Sequence, residues 1–324
     1  MKRIAILTGG DSVEYDISIQ SAKTVKENLD NKIFDGIIIH LKNNVFKAHY
    51  KDKIYNINYN DFSFIYNNEK IVFDIIFIVI HGAPAENGKI QKYFDKLAIP
   101  YTSCDSKTSN LTFNKYKCNK KLKELGFDIP NAYLYSKHKK NNIEKIINKI
   151  KIPCFVKPNE SGSSYGISKI KSVNDLTNGI NNALKYSLDV VIEEEISGIE
   201  VTCGVFFNTK TKKIHKLPIT EIRTKEEFFN YKAKYEGKSQ EITPAKIHPI
   251  LAKKIYGITK KIYENLSLKG LCRIDYIISN NTPYVIEINT IPGLSDKSII
   301  PQQIKVADLS LKEVFTMCLL QEKN

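Results

Sequence analysis

Alternating apolar and polar residues mark the stretch around which this chain is organised, residues 271–289. Residues 279–283 favour a turn and separate two runs of period two, which is typical of a β-hairpin. Successive strand side chains point to opposite faces, so one face of the hairpin is predicted to be buried and the other polar. The predicted buried face consists of Cys272, Ile274, Tyr276, Ile286 and Ile288. The predicted polar face consists of Arg273, Asp275, Glu287 and Asn289.

A symmetric five-residue turn places Asp275 directly opposite Glu287, and Arg273 opposite Asn289. Two carboxylates about 4 Å apart repel by about 4 kcal/mol at an effective dielectric of about 20. Such a pair needs a compensating cation, and oxygen ligands of this kind suit Mg²⁺. A polar sheet face neutralised by nearby lysines is the alternative interpretation.

The first hundred residues repeat a pattern of strand, turn and helix. Strands are predicted at residues 2–8, 37–39 and 74–80, short strands within 45–60, and helices at 17–29 and 89–97. The apolar run at 74–80 is typical of a strand buried on both faces of a parallel sheet. We therefore expect an open α/β domain, with Glu14 and His81 at the carboxyl ends of its strands, where ligands bind.

The remaining sequence predicts further α/β units. Helices are expected at residues 115–125, 143–150, 176–186, 249–266 and 311–320. Strands are expected at residues 154–157, 167–170, 190–193, 199–207 and 213–217, before the hairpin. A long polar segment occupies residues 221–244.

Composition excludes several classes of protein. The net charge is +14, but the lysines are spread along the chain and only Arg3, Arg223 and Arg273 could form the forked contacts that suit nucleic acids. The longest purely apolar run, residues 75–80, is far too short to span a membrane. The N-terminus predicts a first strand and not a signal peptide, so a cytoplasmic protein is expected. Six scattered cysteines form no zinc motif and are interpreted as reduced, packed thiols.

Two further stretches are candidates for nucleotide binding. The glycine loop at residues 161–166 lacks the ending of a P-loop, but its backbone N–H groups could cradle phosphates beside Lys157. The acidic run at residues 193–195 ends a predicted strand and could contact a ribose. The structural alternative is a Gly-Ser hairpin for the glycine loop and a solvated turn for the acidic run. Neither stretch alone identifies a nucleotide-binding site.

The order of these features is more specific than any one of them. A lysine helix, Val-Lys157-Pro with its glycine loop, Ile-Glu193-Glu-Glu, Arg273-x-Asp275 and Glu287-x-Asn289 resembles the ATP-grasp fold. The motifs Gly-Gly-x-Ser-x-Glu14, His81-Gly and Tyr-x-Ala-Lys234-Tyr235 narrow the match, as does Asn289-Thr-x-Pro-Gly293. Along essentially its whole length the chain resembles the D-alanine–D-alanine ligases.

The resemblance implies an α/β fold with a three-domain ATP-grasp architecture and an N-terminal Rossmann-like open sheet. It implies an N-terminal domain at residues 1–100, a central subdomain at 101–187 and a C-terminal subdomain at 188–324. It also implies ATP-dependent joining of two D-alanine molecules through a D-alanyl phosphate, for peptidoglycan precursors. The family is usually homodimeric.

The resemblance also assigns roles to individual residues. By similarity, ATP would be held by Lys115, Lys157, Glu193, Glu194, Ile196, Glu200 and Lys234. Two Mg²⁺ ions, replaceable by Mn²⁺, would be held by Asp275, Glu287 and Asn289. D-alanine would be bound by Glu14, His81, Arg273, Gly293 and Ser298, of which Arg273 and Gly293 would also serve the oxyanion. Glu14, Ser163 and Tyr235 would form a hydrogen-bonded set that latches the segment at residues 221–244 over the site.

Two positions depart from the family pattern. Ala85 replaces a usual glycine, so the loop after His81 is expected to differ in shape, and Glu195 stands where an apolar residue is common. A ligase with another acceptor, such as D-lactate, is the first alternative, although Tyr235 favours the dipeptide. A non-catalytic ATP-binding protein and a nucleic-acid binder are the others, disfavoured by the polar hairpin face and by the scarcity of arginine.

Overall fold

The computed structural model describes residues 1–138, 143–162, 164–224 and 239–321. It contains three main sheets with helices packed against them, which confirms the predicted α/β class. All six cysteines are unbonded thiols and all are buried, as their apolar surroundings predicted. In the described part of the chain no helix is both long and apolar enough to cross a membrane.

The first sheet is built around two parallel pairings of β1, with β2 and with β7. Its strand order is β4-β3-β2-β1-β7, and a separate small hairpin is formed by β5 and β6. The strands are β1 (Lys2–Gly9), β2 (Phe34–Lys42), β3 (Val45–Tyr50), β4 (Lys53–Asn56), β5 (Phe64–Tyr66), β6 (Glu69–Ile71) and β7 (Ile75–Ile78). The helices of this region are α1 (Tyr15–Glu27) and α2 (Lys89–Leu97). The open sheet predicted from residues 1–100 is therefore present.

Two short helices follow the first sheet, and their starts are capped by side chains. Asp105 accepts a hydrogen bond from the N–H of Thr108 and begins α3 (Ser106–Phe113), a helix that the sequence pattern did not predict. Asn114 accepts one from the N–H of Lys117 and begins α4 (Lys115–Glu124). Capping by Asn114 fixes the position of Lys115, the first residue of its helix.

The second sheet is wholly antiparallel, with strand order β10-β9-β11-β8. Its strands are β8 (Ala132–Ser136), β9 (Cys154–Pro158), β10 (Ser168–Ile170) and β11 (Asp189–Glu194), and its helices are α5 (Ile143–Lys149) and α6 (Val173–Ala183). Strand β8 was not predicted. The glycine loop joins β9 to β10, so Lys157, the next-to-last residue of β9, lies shortly before the loop.

The third sheet has the order β15-β14-β12-β16-β17, with β13 paired to β12. Its strands are β12 (Ile199–Asn208), β13 (Lys213–Lys216), β14 (Thr220–Thr224), β15 (Ser239–Ile242), β16 (Cys272–Ser279) and β17 (Thr282–Asn289). Helices α7 (Pro249–Asn265), α8 (Ile299–Val306) and α9 (Leu311–Gln321) complete the chain. Strand β15 and all but the first residue of β14 lie within the segment that was predicted only as polar, and α8 was not predicted.

Helix α8 covers part of one face of the third sheet. Its Gln303 side chain accepts from the N–H of Gly204 and donates to the carbonyl of Thr202, both on β12. A Cβ on Gly204 would lie 2.6 Å from the Gln303 Oε1 atom, so this close approach requires glycine. The packing fixes the N-terminus of α8, at Ser298, beside the polar face of the hairpin.

Candidate active site

The hairpin register near the polar residues is the predicted one, but the turn is different. Arg273 pairs with Asn289, and Asp275 pairs with Glu287. The pairing then shifts by one residue between Asp275 and Tyr276, and the turn itself is only Asn280 and Asn281, both with positive φ.

The shift corrects one assignment of the buried face. Val285, and not Ile286, packs in the core beneath the hairpin, whereas Ile286 lines a cavity on the polar side. Cys272, Ile274, Tyr276 and Ile288 are buried as predicted. The bulge therefore adds an apolar side chain to a face that was expected to be polar.

Asp275 lies at the centre of a hydrogen-bonded group. Arg273 makes a two-point ion pair with it, from Nε to Oδ1 and from the second guanidinium nitrogen to Oδ2, both at 2.9 Å. Asn289 Nδ2 donates to Oδ2 at 3.0 Å and Thr202 Oγ1 donates to Oδ1 at 2.6 Å. Sequence reasoning missed Thr202, although it follows Glu200 by two residues and so shares its face of β12.

Lys115 compensates the second carboxylate of the pair. Its Nζ atom lies 2.9 Å from Glu287 Oε1 and donates to the carbonyl of Ser161 in the glycine loop at 2.7 Å. Burial alone would lower the pKa of this lysine, but the charge of Glu287 and those of Glu86 and Glu193 outweigh burial and raise it. Lys115 thus remains a cation that joins the loop to the hairpin.

Lys157 and Glu193 form a buried ion pair on the second sheet. Lys157 lies opposite Val191, and Glu193 is two residues further along β11. The ion pair is therefore a diagonal contact between the adjacent strands β9 and β11. Asn119 Nδ2 donates to the other oxygen of Glu193 at 3.0 Å. Asn119 was missed, although its position one helical turn after Lys115 put it on the same face of α4.

A cavity of about 120 Å³ lies between the second and third sheets. It is lined by eight of the residues expected to bind ATP or metal: Lys115, Lys157, Glu193, Glu194, Ile196, Glu200, Asp275 and Glu287. Phe155, Ile167, Ile277 and Ile286 supply apolar walls that sequence reasoning did not identify. Glu195, whose charge put adenine packing in doubt, instead pairs with Lys169 at 2.8 Å.

A second cavity, of about 370 Å³, shares Lys115 and Glu287 with the first. Its lining includes the residues expected to bind D-alanine, namely Glu14, His81, Arg273, Gly293 and Ser298, together with Asn289. The two carboxylates and the amide on the hairpin therefore lie where the two cavities meet. Loops of the first sheet form one side of this cavity, and the third sheet with α8 forms another.

His81 is held by the protein through both ring nitrogens. Its Nδ1–H lies 2.9 Å from the carbonyl of Ile291, and its Nε2 lies 3.1 Å from Ser21 Oγ. Ser21 Oγ in turn accepts from the N–H of Leu294. Burial lowers the pKa of His81 although the charge of Glu14 opposes this, so the ring is neutral and ties α1 to the segment after β17.

Glu86 is a functional candidate that sequence reasoning left without a role. It lines the larger cavity, and its Oε2 accepts from the N–H of Gly82 at 3.1 Å. Burial, followed by the charges of Glu14 and Glu287, raises its pKa to about 8. Ala85 is buried and has no positive φ, while Gly82 and Gly88 do, so the loop takes its shape without a glycine at position 85.

Ser298 begins α8, and its hydroxyl lies 2.8 Å from that of Ser295. A Cβ on Gly293 would lie 2.8 Å from the Ser298 hydroxyl, so the backbone at Gly293 approaches this serine closely. Ser163, Lys234 and Tyr235 lie outside the described residues.

The donor set on the hairpin suits a divalent ion. Asp275, Glu287 and Asn289 offer oxygen ligands on one face. The Nδ2 atom of Asn289 donates a hydrogen bond to Asp275, so its amide oxygen is the atom that could bind an ion. Within the described residues no group of three His, Cys, Asp or Glu side chains could hold a metal, so the amide oxygen of Asn289 would have to take part. Thr202 and Arg273 already orient Asp275 for this role.

Known proteins resemble this chain in sequence and in fold. Residues 3–104 match the N-terminal region of D-Ala–D-Ala ligases and residues 123–319 match their C-terminal region. The chain is 46% identical over 317 residues to a D-alanine–D-alanine ligase from Flavobacterium johnsoniae, covering 98% of each chain. It is 43% identical over 319 residues to one from Phocaeicola vulgatus, again covering 98% of each.

Solved structures agree. The VanG D-Ala:D-Ser ligase from Enterococcus faecalis superposes with a TM-score of 0.88 at 28% identity, covering 98% of each chain. A D-alanyl-alanine synthetase A from Vibrio cholerae, 22% identical, has the same fold with a TM-score of 0.88 over 99% of this chain and 98% of that one. The sequence matches and the shared architecture lead to one conclusion. This chain belongs to the D-alanine–D-alanine ligase family.

Proposed function

We propose that this protein uses ATP to join two molecules of D-alanine into D-alanyl-D-alanine, through a D-alanyl phosphate, for peptidoglycan precursor synthesis. The observation that carries the proposal is the junction of the two cavities at Asp275, Glu287 and Asn289. A phosphoryl group that passes from a nucleotide in one cavity to a carboxylate in the other must cross this junction. Full-length relatives named for this reaction support the proposal.

The smaller cavity would hold ATP. Its apolar walls suit the adenine, Glu194 and Ile196 continue β11 beside it, and Lys157 would contact the phosphates next to the glycine loop. Glu193 and Asn119 hold Lys157 in place, because a lysine without such partners would search many rotamers. Lys115 would contact the transferring group from the other side of the loop.

Asp275, Glu287 and Asn289 would hold Mg²⁺, or Mn²⁺ in its place. When bound, such ions neutralise charge on the transferring phosphoryl group. Glu14 would bind the ammonium group of the donor D-alanine, so that the donor carboxylate faces the junction. Arg273 and the N–H of Gly293 would stabilise the oxyanion that forms when the second D-alanine attacks.

D-alanine is the proposed acceptor, and D-lactate is less supported, because the curated relatives named above are dipeptide ligases. The family resemblance also supports a homodimer in the cytoplasm. Sedimentation of the purified protein tests the homodimer, since a homodimer has twice the mass of the 37.0 kDa chain.

A coupled assay tests the proposed reaction. We expect phosphate release from ATP that depends on D-alanine, with a product of the mass of D-alanyl-D-alanine and little product from L-alanine or D-lactate. Asp275→Asn and Glu287→Gln should each lower turnover about 100-fold or more, because each removes one of the charged oxygen ligands. Glu264→Gln, on the exposed side of α7, is the matched control and should leave turnover unchanged.

Two results would contradict this assignment. If both junction variants keep full turnover, the metal ligands are wrong. If phosphate release does not respond to D-alanine, the reaction itself is wrong.

A further inference from the structure

Glu241 lies on the ligand-binding face of the third sheet, although no role has been given to it. Four residues lie directly opposite one another in a row across four strands of this sheet: Glu241 of β15, Ile222 of β14, Glu200 of β12 and Ile277 of β16. Residues directly opposite one another on neighbouring strands share a face. Glu241 therefore shares the face that carries Arg273 and the junction residues, and it lines the larger cavity.

Helix α8 fixes the position of this carboxylate. Gln302 Nε2 donates to Glu241 Oε2 at 2.7 Å, and Gln302 lies one helical turn after Ser298. The same wall of the cavity thus presents Glu241, Arg273 and Ser298. Glu14 and Glu86 reach the cavity from loops of the first sheet, so Glu241 lies on the wall that serves the acceptor in the proposed reaction.

The acceptor has a chemical requirement that the residues considered so far do not meet. D-alanine carries an ammonium group at neutral pH, and this group must lose a proton before its nitrogen can attack. Glu14 is committed to the donor, and both nitrogens of His81 are committed to Ile291 and Ser21. Burial raises the pKa of Glu86 to about 8, so this carboxyl is mostly protonated at neutral pH and is a poor proton acceptor there.

We propose that Glu241 binds the ammonium group of the acceptor D-alanine and accepts one of its protons before the nitrogen attacks. This inference rests on the proposed function. The proton passes from nitrogen to the Glu241 carboxylate, and the free amine attacks the carbonyl carbon of D-alanyl phosphate. The C–N bond forms, the C–O bond to phosphate breaks, and the second nitrogen proton leaves with the phosphate. Glu241 then releases its proton to solvent.

The surroundings of Glu241 suit a general base. Burial raises its pKa, while the hydrogen bond from Gln302 and the positive charge of Arg273 oppose the rise. A carboxylate with a raised pKa is a better proton acceptor near neutral pH. The ionisable groups that line the same cavity are Arg273, Lys297, Lys115, His81, Glu14, Asp16, Glu86 and Glu287.

Hydroxylamine separates this role from the earlier steps. It is largely unprotonated at neutral pH, so it attacks an acyl phosphate without needing a base and gives D-alanine hydroxamate. We expect Glu241→Gln to lower D-alanyl-D-alanine synthesis about 10²–10⁴-fold, the usual contribution of a general base. Hydroxamate formation from ATP, D-alanine and hydroxylamine should stay within about threefold of the unmodified enzyme.

Two further variants sharpen the test. Glu241→Asp keeps the carboxylate and should recover part of the dipeptide synthesis. Gln302→Leu removes a hydrogen bond that stabilises the charged carboxylate, so the acidic limb of its pH–rate profile should move to higher pH. A purely structural role for Glu241 would not move that limb.

The outcomes are distinguishable. Dipeptide synthesis within threefold of normal in Glu241→Gln would overturn the inference, and so would an equal loss of dipeptide and hydroxamate, which indicates a structural role. If the unmodified enzyme forms neither dipeptide nor hydroxamate, the proposed function fails first.

Discussion

Glu14 is held in a space that two glycines leave open. A Cβ on Gly162 would lie 2.4 Å from Glu14 Oε2, and one on Gly82 would lie 3.3 Å from the same atom. The first of these distances is far below any real contact, so the backbone at Gly162 closely approaches the carboxylate that is proposed to bind the donor. The position of the loop is therefore coupled to the position of the Glu14 carboxylate.

This contact predicts a binding defect in Gly162→Ala. The new methyl group must displace the Glu14 carboxylate or the loop, so we expect the KM for D-alanine to rise about tenfold while the fold stays intact. Steady-state kinetics with varied D-alanine and circular dichroism measure the two effects. Gly257→Ala is the matched control, because nothing lies within 4 Å of its added Cβ. Equal KM values in the two variants would show that the loop does not restrain Glu14.

A stacked histidine pair on the first sheet predicts a different, pH-dependent effect. The rings of His40 and His49 have centroids 4.0 Å apart, and burial together with the charge of His49 lowers the pKa of His40 to about 4 from 6.5. The unfolded chain therefore binds more protons than the native protein between these values. The stability that depends on a neutral His40 is complete above pH 6.5 and is lost as the pH falls towards 4.

We expect His40 to cause about 1 kcal/mol of this loss, since the residue is only partly buried and solvent screens part of the shift. Unfolding midpoints measured from pH 4 to 7 should fall less steeply in His40→Gln than in the unmodified protein. His138→Gln, at an exposed position, should keep the original slope. Parallel slopes for all three proteins would rule out the histidine pair as a cause.

Sequence reasoning predicted some site residues well because of simple geometry. Alternation with period two placed Arg273, Asp275, Glu287 and Asn289 on one face without any knowledge of the fold. Glu86 and Glu241 were missed for a physical reason, since their importance comes from neighbours distant in the chain. Glu241 is 61 residues from Gln302, and no local pattern brings the two together.

At the scale of elements, the hairpin shows where counting residues fails. Residues 279–283 were predicted as a symmetric five-residue turn, but two asparagines with φ of 48° and 61° make a tighter turn. Asparagine tolerates this left-handed region, so the tighter turn was available to the sequence. The bulge after Asp275 then restores the predicted register at the carboxylates. The error at the turn and the bulge cancel, which is why the site residues were paired correctly.

The turn predicts opposite effects of two substitutions at Asn281. Asn281→Val places a β-branched side chain at positive φ and should cost about 1–2 kcal/mol, whereas Asn281→Gly should be neutral or stabilising. Thermal unfolding measures both. Thr282→Val introduces the same side chain one position later, in the extended strand, and should cause little change. Activity well below the unfolding temperature should stay unchanged, because the bulge and the strand pairing fix Asp275.

Helices were predicted unevenly. The amphipathic helices at 89–97 and 249–265 agree closely with the expected ranges, because each has a clear apolar stripe. Helices α3 and α8 are only eight residues long, and they are polar or have few apolar residues at helical spacing. The sequence pattern therefore did not predict them. Helix α8 matters more for the proposed reaction, since Ser298 lies at its start and its Gln302 donates a hydrogen bond to Glu241.

At the scale of the whole molecule, the end of the chain returns to its beginning. Val314, Phe315 and Leu319 of α9 pack in the same core as Ile4 and Ile6 of β1. Sequence patterns show that α9 has an apolar face but not which sheet it covers, because that contact spans the full length of the chain. The two predicted domain boundaries, after residues 100 and 187, stay predictions.

This long-range packing gives Phe315 a role beyond its own helix. Its ring is fully buried and meets the ring of Phe77 edge to face, with centroids 5.4 Å apart. Phe315→Ala would leave a cavity between α9 and the first sheet and should cost about 3–5 kcal/mol. The same core includes Ala22 and Val25 of α1, the helix that follows Glu14.

We therefore expect Phe315→Ala to unfold at a markedly lower temperature and to lose D-alanine-dependent turnover in the same temperature range. At low temperature its turnover should be close to normal, because no residue of the two cavities changes. Val306→Ala removes an apolar side chain that is 41% exposed and should shift the unfolding midpoint little. If Phe315→Ala instead loses turnover at low temperature while remaining folded, α9 does more than stabilise: it positions α1, and with it Glu14, against the cavity.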